Sequence, residues 1–117
     1  MNWLDTPNTP MLERFLDLAA QRQTLIASNI ANVDTPGYRT LDVDFSRELE
    51  RAELGIDGNP TAREVPDLIE RPDGNNVSLD RETLLLAETQ LRFRTAVDLL
   101  RAEFRRLRTA IHEGARQ

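Results

Sequence analysis

The stretch ASNIANVDTPGY, residues 27–38, places the end of a helix beside a sharp turn. Asn29 and Asn32 are three residues apart, so they share a face if this segment is helical. Pro36 disfavours helical backbone at the residue before it, and Gly37 adopts positive φ at little cost. These residues suit an ordinary polar helix end and turn. They are equally consistent with a helix end at which buried asparagine side chains fix the direction in which the chain continues.

The residues before the turn predict a helix from about residue 11 to 33. Apolar side chains recur at alternating steps of four and three residues, which is typical of a helix with one apolar seam. That seam contains Leu12, Leu16, Ala19, Ile26, Ile30 and Val33, and Gln23 interrupts it. Residues 1–10 combine proline, asparagine and threonine and predict a flexible tail.

A second, longer helix is predicted from residue 79 to 113. Ser78 is a suitable N-cap, and Gly114 predicts the end of the helix. At 1.5 Å per residue, this helix would be about 50 Å long. Its seam again alternates steps of four and three and contains Leu79, Thr83, Leu86, Gln90, Phe93, Val97, Leu100, Phe104, Leu107 and Ile111.

The second helix also carries apolar side chains outside this seam, at Leu84, Leu85, Leu91 and Leu99. A two-stranded coiled coil needs only about two apolar positions in seven. The additional leucines therefore indicate burial on several sides. We predict a mainly α fold in which the two long helices pack as an antiparallel coiled-coil hairpin, with further faces covered by helices of other chains.

Residues 38–78 show no sustained period and are predicted to be a variable loop region. The short apolar run Asp67-Leu68-Ile69-Glu70 could supply one strand of a small β-hairpin. The chain is then one domain, 1–117, divided into a tail (1–10), a helix with its turn (11–37), the variable region (38–78) and a second helix (79–113).

Nothing in the sequence points to catalysis, a metal or a cofactor. The chain has 117 residues, no cysteine and a single histidine, so thiolate metal sites and histidine relays are absent. Asp42, Asp44 and Glu48 lack a nearby histidine or cysteine and are interpreted as a solvated acidic loop. Residues 73–84 begin like a calcium-binding loop, but Leu84 stands where a bidentate glutamate is required.

The charge pattern argues against nucleic-acid binding. The net charge is −5, and residues 41–78 hold ten acidic residues against four arginines. The one basic run lies in the second helix, at Arg92, Arg94, Arg101, Arg105, Arg106 and Arg108. Helix solubility and ion pairs with an acidic neighbour explain it better than phosphate binding does.

The twelve residues 27–38 resemble the signature of the axial proteins of the bacterial flagellum, the family of rod, hook and hook-associated proteins. The resemblance covers residues 11–40 and 73–112 and is weak in 41–72. Within the family, the short length, the residues DGNNVSLD at 73–80 and the residues LAETQLRF at 86–93 are most similar to rod proteins of the basal body.

This resemblance implies a structural, non-enzymatic subunit of the proximal rod that self-assembles and serves motility. It implies an assembly signature at Ser28, Asn29, Asn32, Asp34, Thr35, Pro36, Gly37 and Tyr38. The implied partners are other copies of the chain, other rod proteins, the adaptor at the rod base, the membrane-supramembrane ring and the type III export apparatus. Without a signal peptide the default location is the cytoplasm. The resemblance replaces this with export, without cleavage, to the periplasmic rod.

An alternative function remains open from the sequence. A free helical hairpin could act as an adaptor that binds one partner helix in a groove. In either case we expect Asn29 and Asn32 to find hydrogen-bond partners at the helix exit, because buried amides without partners are costly.

Overall fold

In a computed structural model, which describes residues 8–56 and 58–115, the chain is mainly helical. The described elements are α1 (Asn8–Ala31), β1 (Leu41–Val43), α2 (Phe45–Glu53), β2 (Ala62–Glu64) and α3 (Leu79–Ala115). The predictions of a mainly α fold and of two long helices at the two ends are confirmed, and the segment between them holds a small two-stranded antiparallel sheet in place of the predicted β-hairpin.

The two long helices run in opposite directions along each other. Asn29, near the end of α1, bonds to Glu82 in the first turn of α3. At the other end, Met11 and Glu103 line one cavity. The described residues measure 71 × 26 × 17 Å along their principal axes. Because α3 has 37 residues and α1 has 24, α3 extends beyond the start of α1.

The helix ends differ in part from the predicted ones. Residues 8–10 of the predicted tail belong to α1, since a proline is tolerated in the first turn, where its missing N–H has no helical partner. Residues 1–7 of that prediction lie outside the described residues. Ser78 is confirmed as the α3 N-cap, because its Oγ accepts from the Arg81 N–H at 3.3 Å. The stop predicted at Gly114 is wrong: α3 continues through it to Ala115.

The middle of the chain is more ordered than its sequence indicated. The strands β1 and β2 pair antiparallel, with Leu41 opposite Glu64. The strand predicted at 67–70 is wrong, because Asp67 has φ of 64° and Ile69 is 92% exposed. Positive φ at a non-glycine residue interrupts an extended backbone. The two-stranded sheet uses residues 41–43 and 62–64 instead, and α2 lies between them in the chain.

Helix α2 was missed altogether. Its N-cap is Asp44, whose carboxylate accepts from the Arg47 N–H at 3.1 Å. Phe45, Leu49 and Ala52 lie at helical spacing and turn toward the rest of the protein, and each is half-buried. Nine residues span too few turns for this periodicity to stand out against a charged background.

The apolar core lies around α1, which is covered by α3 on one side and by β1 and α2 on another. The rings of Phe15 and Phe45 meet edge to face with centroids 5.3 Å apart. Leu18 is fully buried at 0% exposure. The other buried apolar side chains are Ala19, Ile26, Val43, Val77 and Ala96. Because this core is small, individual buried residues of α1 contribute a large share of the free energy of unfolding.

We expect Leu18→Ala to lower the free energy of unfolding by about 3 kcal/mol, because it removes buried methyl groups and leaves a cavity. Urea unfolding followed by circular dichroism measures this change. Leu84→Ala is the matched control: Leu84 is exposed, so its loss should cost less than about 0.5 kcal/mol. Equal unfolding midpoints for the two variants would show that α1 is not the centre of the core.

Candidate assembly site

Asn29 joins three parts of the fold at the end of α1. It is 1% exposed. Its Nδ2 donates to the backbone oxygen of Leu41 at 2.9 Å and to the carboxylate of Glu82 at 3.2 Å. Its Oδ1 accepts from the Leu41 N–H at 3.1 Å and from the Tyr38 hydroxyl at 3.0 Å. Two donors and two acceptor positions are the full capacity of an amide.

Glu82 links Asn29 to a chain of charged groups. It is fully buried, and its Oε1 lies 2.7 Å from Nη1 of Arg81. Arg81 also reaches Asp42 at 3.5 Å, and Asp42 accepts from Nε of Arg22 at 2.9 Å. A buried carboxylate is tolerated only with such partners. This series of ion pairs therefore connects α3 to β1 and β1 to α1.

Asn32 organises the turn locally. Its Nδ2 donates to the backbone oxygen of Ser28 at 2.8 Å, and its Oδ1 accepts from the Thr35 hydroxyl at 3.0 Å. The Ser28 and Tyr38 hydroxyls lie 3.2 Å apart. Asp34 and Pro36 are exposed. Both amides of the signature thus have hydrogen-bond partners, and only Asn29 reaches distant segments of the chain.

Asn75, which sequence reasoning did not single out, caps the end of α1 from the other side. It is fully buried. Its Nδ2 donates to the backbone oxygens of Asn32 at 2.9 Å and Thr35 at 2.8 Å. These oxygens also accept from backbone N–H groups within the turn, Asn32 from Thr35 and Thr35 from Tyr38, so Asn75 gives each a second donor and ties the turn to the loop before α3. Its Oδ1 accepts from the Val77 N–H at 2.8 Å, which holds the entry to α3.

Two glycines allow the turn after α1 to touch the loop before α3. The Gly37 N–H donates to the backbone oxygen of Asp73 at 2.9 Å. A Cβ on Gly74 would lie 3.3 Å from the Cα of Gly37. Both glycines have positive φ, 74° and 86°. The Arg71 guanidinium donates to the backbone oxygen of Val33 across the same contact. We call residues 28–41 together with 71–82 the helix junction.

Asn76 completes the helix junction on its buried side. It is almost fully buried, and its Oδ1 accepts from the Thr40 N–H at 2.7 Å. The Thr40 hydroxyl in turn donates to the backbone oxygen of Asn76 at 3.3 Å. The neighbouring residues Asn75 and Asn76 thereby hold both sides of the turn. A pair of asparagines two residues before the N-cap Ser78 was the available sequence signal.

The acidic group at 42–48 is not a solvated loop, so that interpretation is wrong. Glu48 is almost fully buried and pairs with Arg14 at 3.3 Å and Arg51 at 3.5 Å. Asp44 caps α2 and Asp42 bonds to Arg22. Each carboxylate therefore stabilises the fold. Across residues 8–56 and 58–115, no three His, Asp or Glu side chains are grouped as a metal site would need.

The predicted packing seam falls mostly at the edge of the contact between α1 and α3. Ile26 is buried, whereas Phe104 and Ile111 are exposed. The residues of α3 that are buried there recur every seven positions, at Glu82, Thr89 and Ala96. The remaining seam residues are half-buried: Leu12, Leu16, Ile30, Leu86, Phe93, Val97, Leu100 and Leu107.

Most of these half-buried residues face away from α2 and the rest of the segment that links the two long helices. Leu99 shares a cavity with Leu49 of α2, and Val97, two residues earlier, points about 160° from Leu99. Arg14 pairs with Glu48 of α2, and Leu16, two residues later, is likewise about 160° away. We call this the open face; it contains Leu16, Ile30, Leu86, Phe93, Val97 and Leu100.

Comparison with known proteins identifies the family. A family model described as "Flagella basal body rod protein" matches residues 16–39, which include the end of α1 and the turn. The flagellar basal body rod protein FlgB of Yersinia ruckeri is 33% identical over 85% of this chain and 89% of that relative. This chain belongs to the FlgB family. FlgB of Escherichia coli K12 is 31% identical over 85% of the chain and 88% of the relative. FlgB of Bacillus subtilis is 29% identical over 88% and 92%.

Membership of the FlgB family assigns a structural role in the rod and a place in the flagellar basal body. The relatives are rod proteins, not enzymes. Among the described helices, none is long and apolar enough to cross a bilayer. The aligned relatives cover most of this chain, so the open face and the helix junction both lie within a FlgB-like subunit.

We expect Asn29→Ala to lower the free energy of unfolding by about 3 kcal/mol, because it removes one partner of the buried Glu82 carboxylate and the side-chain partner of both the N–H and the oxygen of Leu41. Asn32→Ala is the matched control and should cost about 1 kcal/mol, since its amide bonds only to the adjacent turn. Urea unfolding gives both values, and hydrogen exchange at the Leu41 amide should accelerate in Asn29→Ala alone. A larger effect at Asn32 would contradict the central role of Asn29.

Proposed function

We propose that this chain is a structural subunit of the proximal rod of the flagellar basal body, which assembles when α1 and α3 pack as coiled coils against helices of neighbouring subunits. The observation that carries this proposal is the open face. Large apolar side chains, including Phe93, Val97 and Leu100, stay partly exposed along it, whereas the buried residues of α3 are Glu82, Thr89 and Ala96.

The energetics favour covering the open face. Fully burying one large apolar side chain contributes about 1.5–3 kcal/mol, and part of this remains unused where the side chain is partly exposed. The open face spans several turns of both helices, so covering it with a partner helix would add one such contribution to the free energy of assembly for each apolar side chain. Helices from neighbouring subunits suit this surface, because its apolar residues recur at coiled-coil spacing.

The signature at Ser28, Asn29, Asn32, Asp34, Thr35, Pro36, Gly37 and Tyr38 has a supporting role in this proposal. A subunit that packs in a regular array must present the same surface in every copy. The bonds of Asn29 and Asn75 set the register of α1 against α3 and thereby the alignment of Leu16 with Phe93 and Val97. The signature thus positions the packing seam without contacting the neighbour itself.

The proposed route and partners follow from membership of the family. The chain is made in the cytoplasm and exported by the flagellar type III apparatus, and it joins the rod in the periplasm. Its neighbours there are other copies, other rod proteins, the adaptor at the rod base and the membrane-supramembrane ring. The FlgB relatives named as basal body rod proteins support this placement.

We expect Val97→Asp to abolish rod formation and swimming while the subunit still folds, because a carboxylate on the open face resists burial against a partner helix. Leu100→Asp should behave in the same way. Swimming assays and electron microscopy of purified basal bodies measure assembly, and circular dichroism of the purified variant checks the helices. Val97→Ile keeps the surface apolar and should assemble. Normal swimming by Val97→Asp would rule out the coiled-coil assembly.

A further inference from the structure

Near the C-terminal end of α3, arginines surround an exposed phenylalanine. Phe104 is 53% exposed, and it lines a cavity of about 300 Å³ with Arg101, Arg105 and Arg108. None of these three arginines forms an ion pair within residues 8–56 and 58–115, whereas Arg106 is paired with Glu103. We call Phe104 and these three arginines the basic patch.

The end of α2 carries a surface of the opposite charge. Leu54 is 69% exposed and Ile56 is 46% exposed. Glu50 and Glu53 lie beside them, are exposed, and have no cationic partner in the part of the chain that the structure describes. We call these four residues the acidic patch. The acidic patch resembles the basic patch, because each has exposed apolar side chains with charged side chains beside them that form no ion pair among the described residues.

The two patches lie at the same end of the molecule but on opposite faces. Leu49 of α2 lines a cavity with Leu99 and Glu103, so the second half of α2 lies beside this part of α3. Phe104 is five residues after Leu99 and points about 140° away from it. The basic patch therefore cannot reach the acidic patch of its own chain. A second copy placed beside the first, with little shift along the helix axis, brings the two patches together.

We propose that the basic patch of one copy docks on the acidic patch of the next copy in the rod. This inference rests on the proposed rod function and adds to it the contact between copies. Guanidinium groups bind carboxylates with two parallel hydrogen bonds, and Phe104 covers Leu54 and Ile56 at the centre. Such a contact joins two different surfaces, so it repeats from copy to copy as a ring or helical array requires.

Engineered disulfides test this contact directly, because the chain contains no cysteine. We expect the double variant Glu53→Cys/Arg105→Cys to form disulfide-linked dimers, trimers and longer ladders in purified basal bodies under oxidising conditions. A repeating contact between different surfaces produces a ladder, whereas a twofold contact would stop at dimers. The control pair Glu53→Cys/Asp80→Cys should give none, because Asp80 lies at the opposite end of α3.

Charge reversal provides the second test. We expect Arg105→Glu/Arg108→Glu to reduce the amount of the chain in basal bodies at least tenfold, and adding Glu50→Arg/Glu53→Arg to the same chain to restore most of it. Arg94→Glu is the matched control. It reverses an unpaired arginine ten residues before Phe104, about 15 Å away, and should assemble normally.

The outcomes separate this inference from the rod function. Ladders together with restoration by the reversed acidic patch support the contact between copies. If the cysteine variant enters basal bodies without a ladder, or if the reversed acidic patch restores nothing, the contact is wrong and the rod function stands. Cross-links of the basic patch to a different rod protein would also overturn it. Absence of the unmodified chain from basal bodies would instead overturn the rod function itself.

Discussion

The four hydrogen bonds of Asn29 hold the two long helices in one arrangement. The amide lies at the end of α1, and its partners are the peptide group of Leu41, the hydroxyl of Tyr38 and the carboxylate of Glu82. Because every donor and acceptor of the amide is used, a shift of either helix along the other would break several bonds together and leave buried groups unpaired. The register between α1 and α3 depends on this residue.

The contact between the helices explains why a polar residue has this role. Where α3 is most deeply buried against α1, it offers Glu82, Thr89 and Ala96, none of which is a large apolar residue. Small and polar contacts allow close approach but contribute little transfer free energy. Apolar packing alone would specify the register between α1 and α3 only weakly. The hydrogen bonds of Asn29, Asn75 and Glu82 in the helix junction specify this register instead. Buried polar groups that select one register are known from coiled coils.

The contrast between polar residues in the helix contact and apolar residues beside it also relates the structure to the proposed function in the rod. On α3, large apolar residues such as Phe93 and Leu100 lie on the open face and not at the most buried positions of the contact with α1. The middle segment covers the opposite side of α1, where α2 and β1 pack through Phe45, Val43 and paired carboxylates. In the proposed rod, the open face is covered by helices of neighbouring subunits, and the basic and acidic patches give the contact between copies its direction.

Hydrophobic periodicity and turn chemistry determined a large part of this fold from the sequence. The steps of four and three along α1 and α3, the N-cap Ser78 and the break at Pro36-Gly37 are local signals, and the structure contains each of them. The twelve residues of the turn also identified the family. These features could be read because a helix period and a turn depend on residues that are neighbours in the chain.

Only the tertiary structure decided which residues meet. Asn75 lies 43 residues after Asn32 and Glu82 lies 53 residues after Asn29, and no local pattern connects the members of either pair. The acids at 42–48 looked solvated because, apart from Arg51, their arginine partners lie on other elements, at Arg14, Arg22 and Arg81. The strand was misplaced to residues 67–70 because pairing depends on a partner strand and not on the apolar run itself. Long-range hydrogen bonds and ion pairs form between residues that chain folding brings together, and the sequence by itself does not show that proximity.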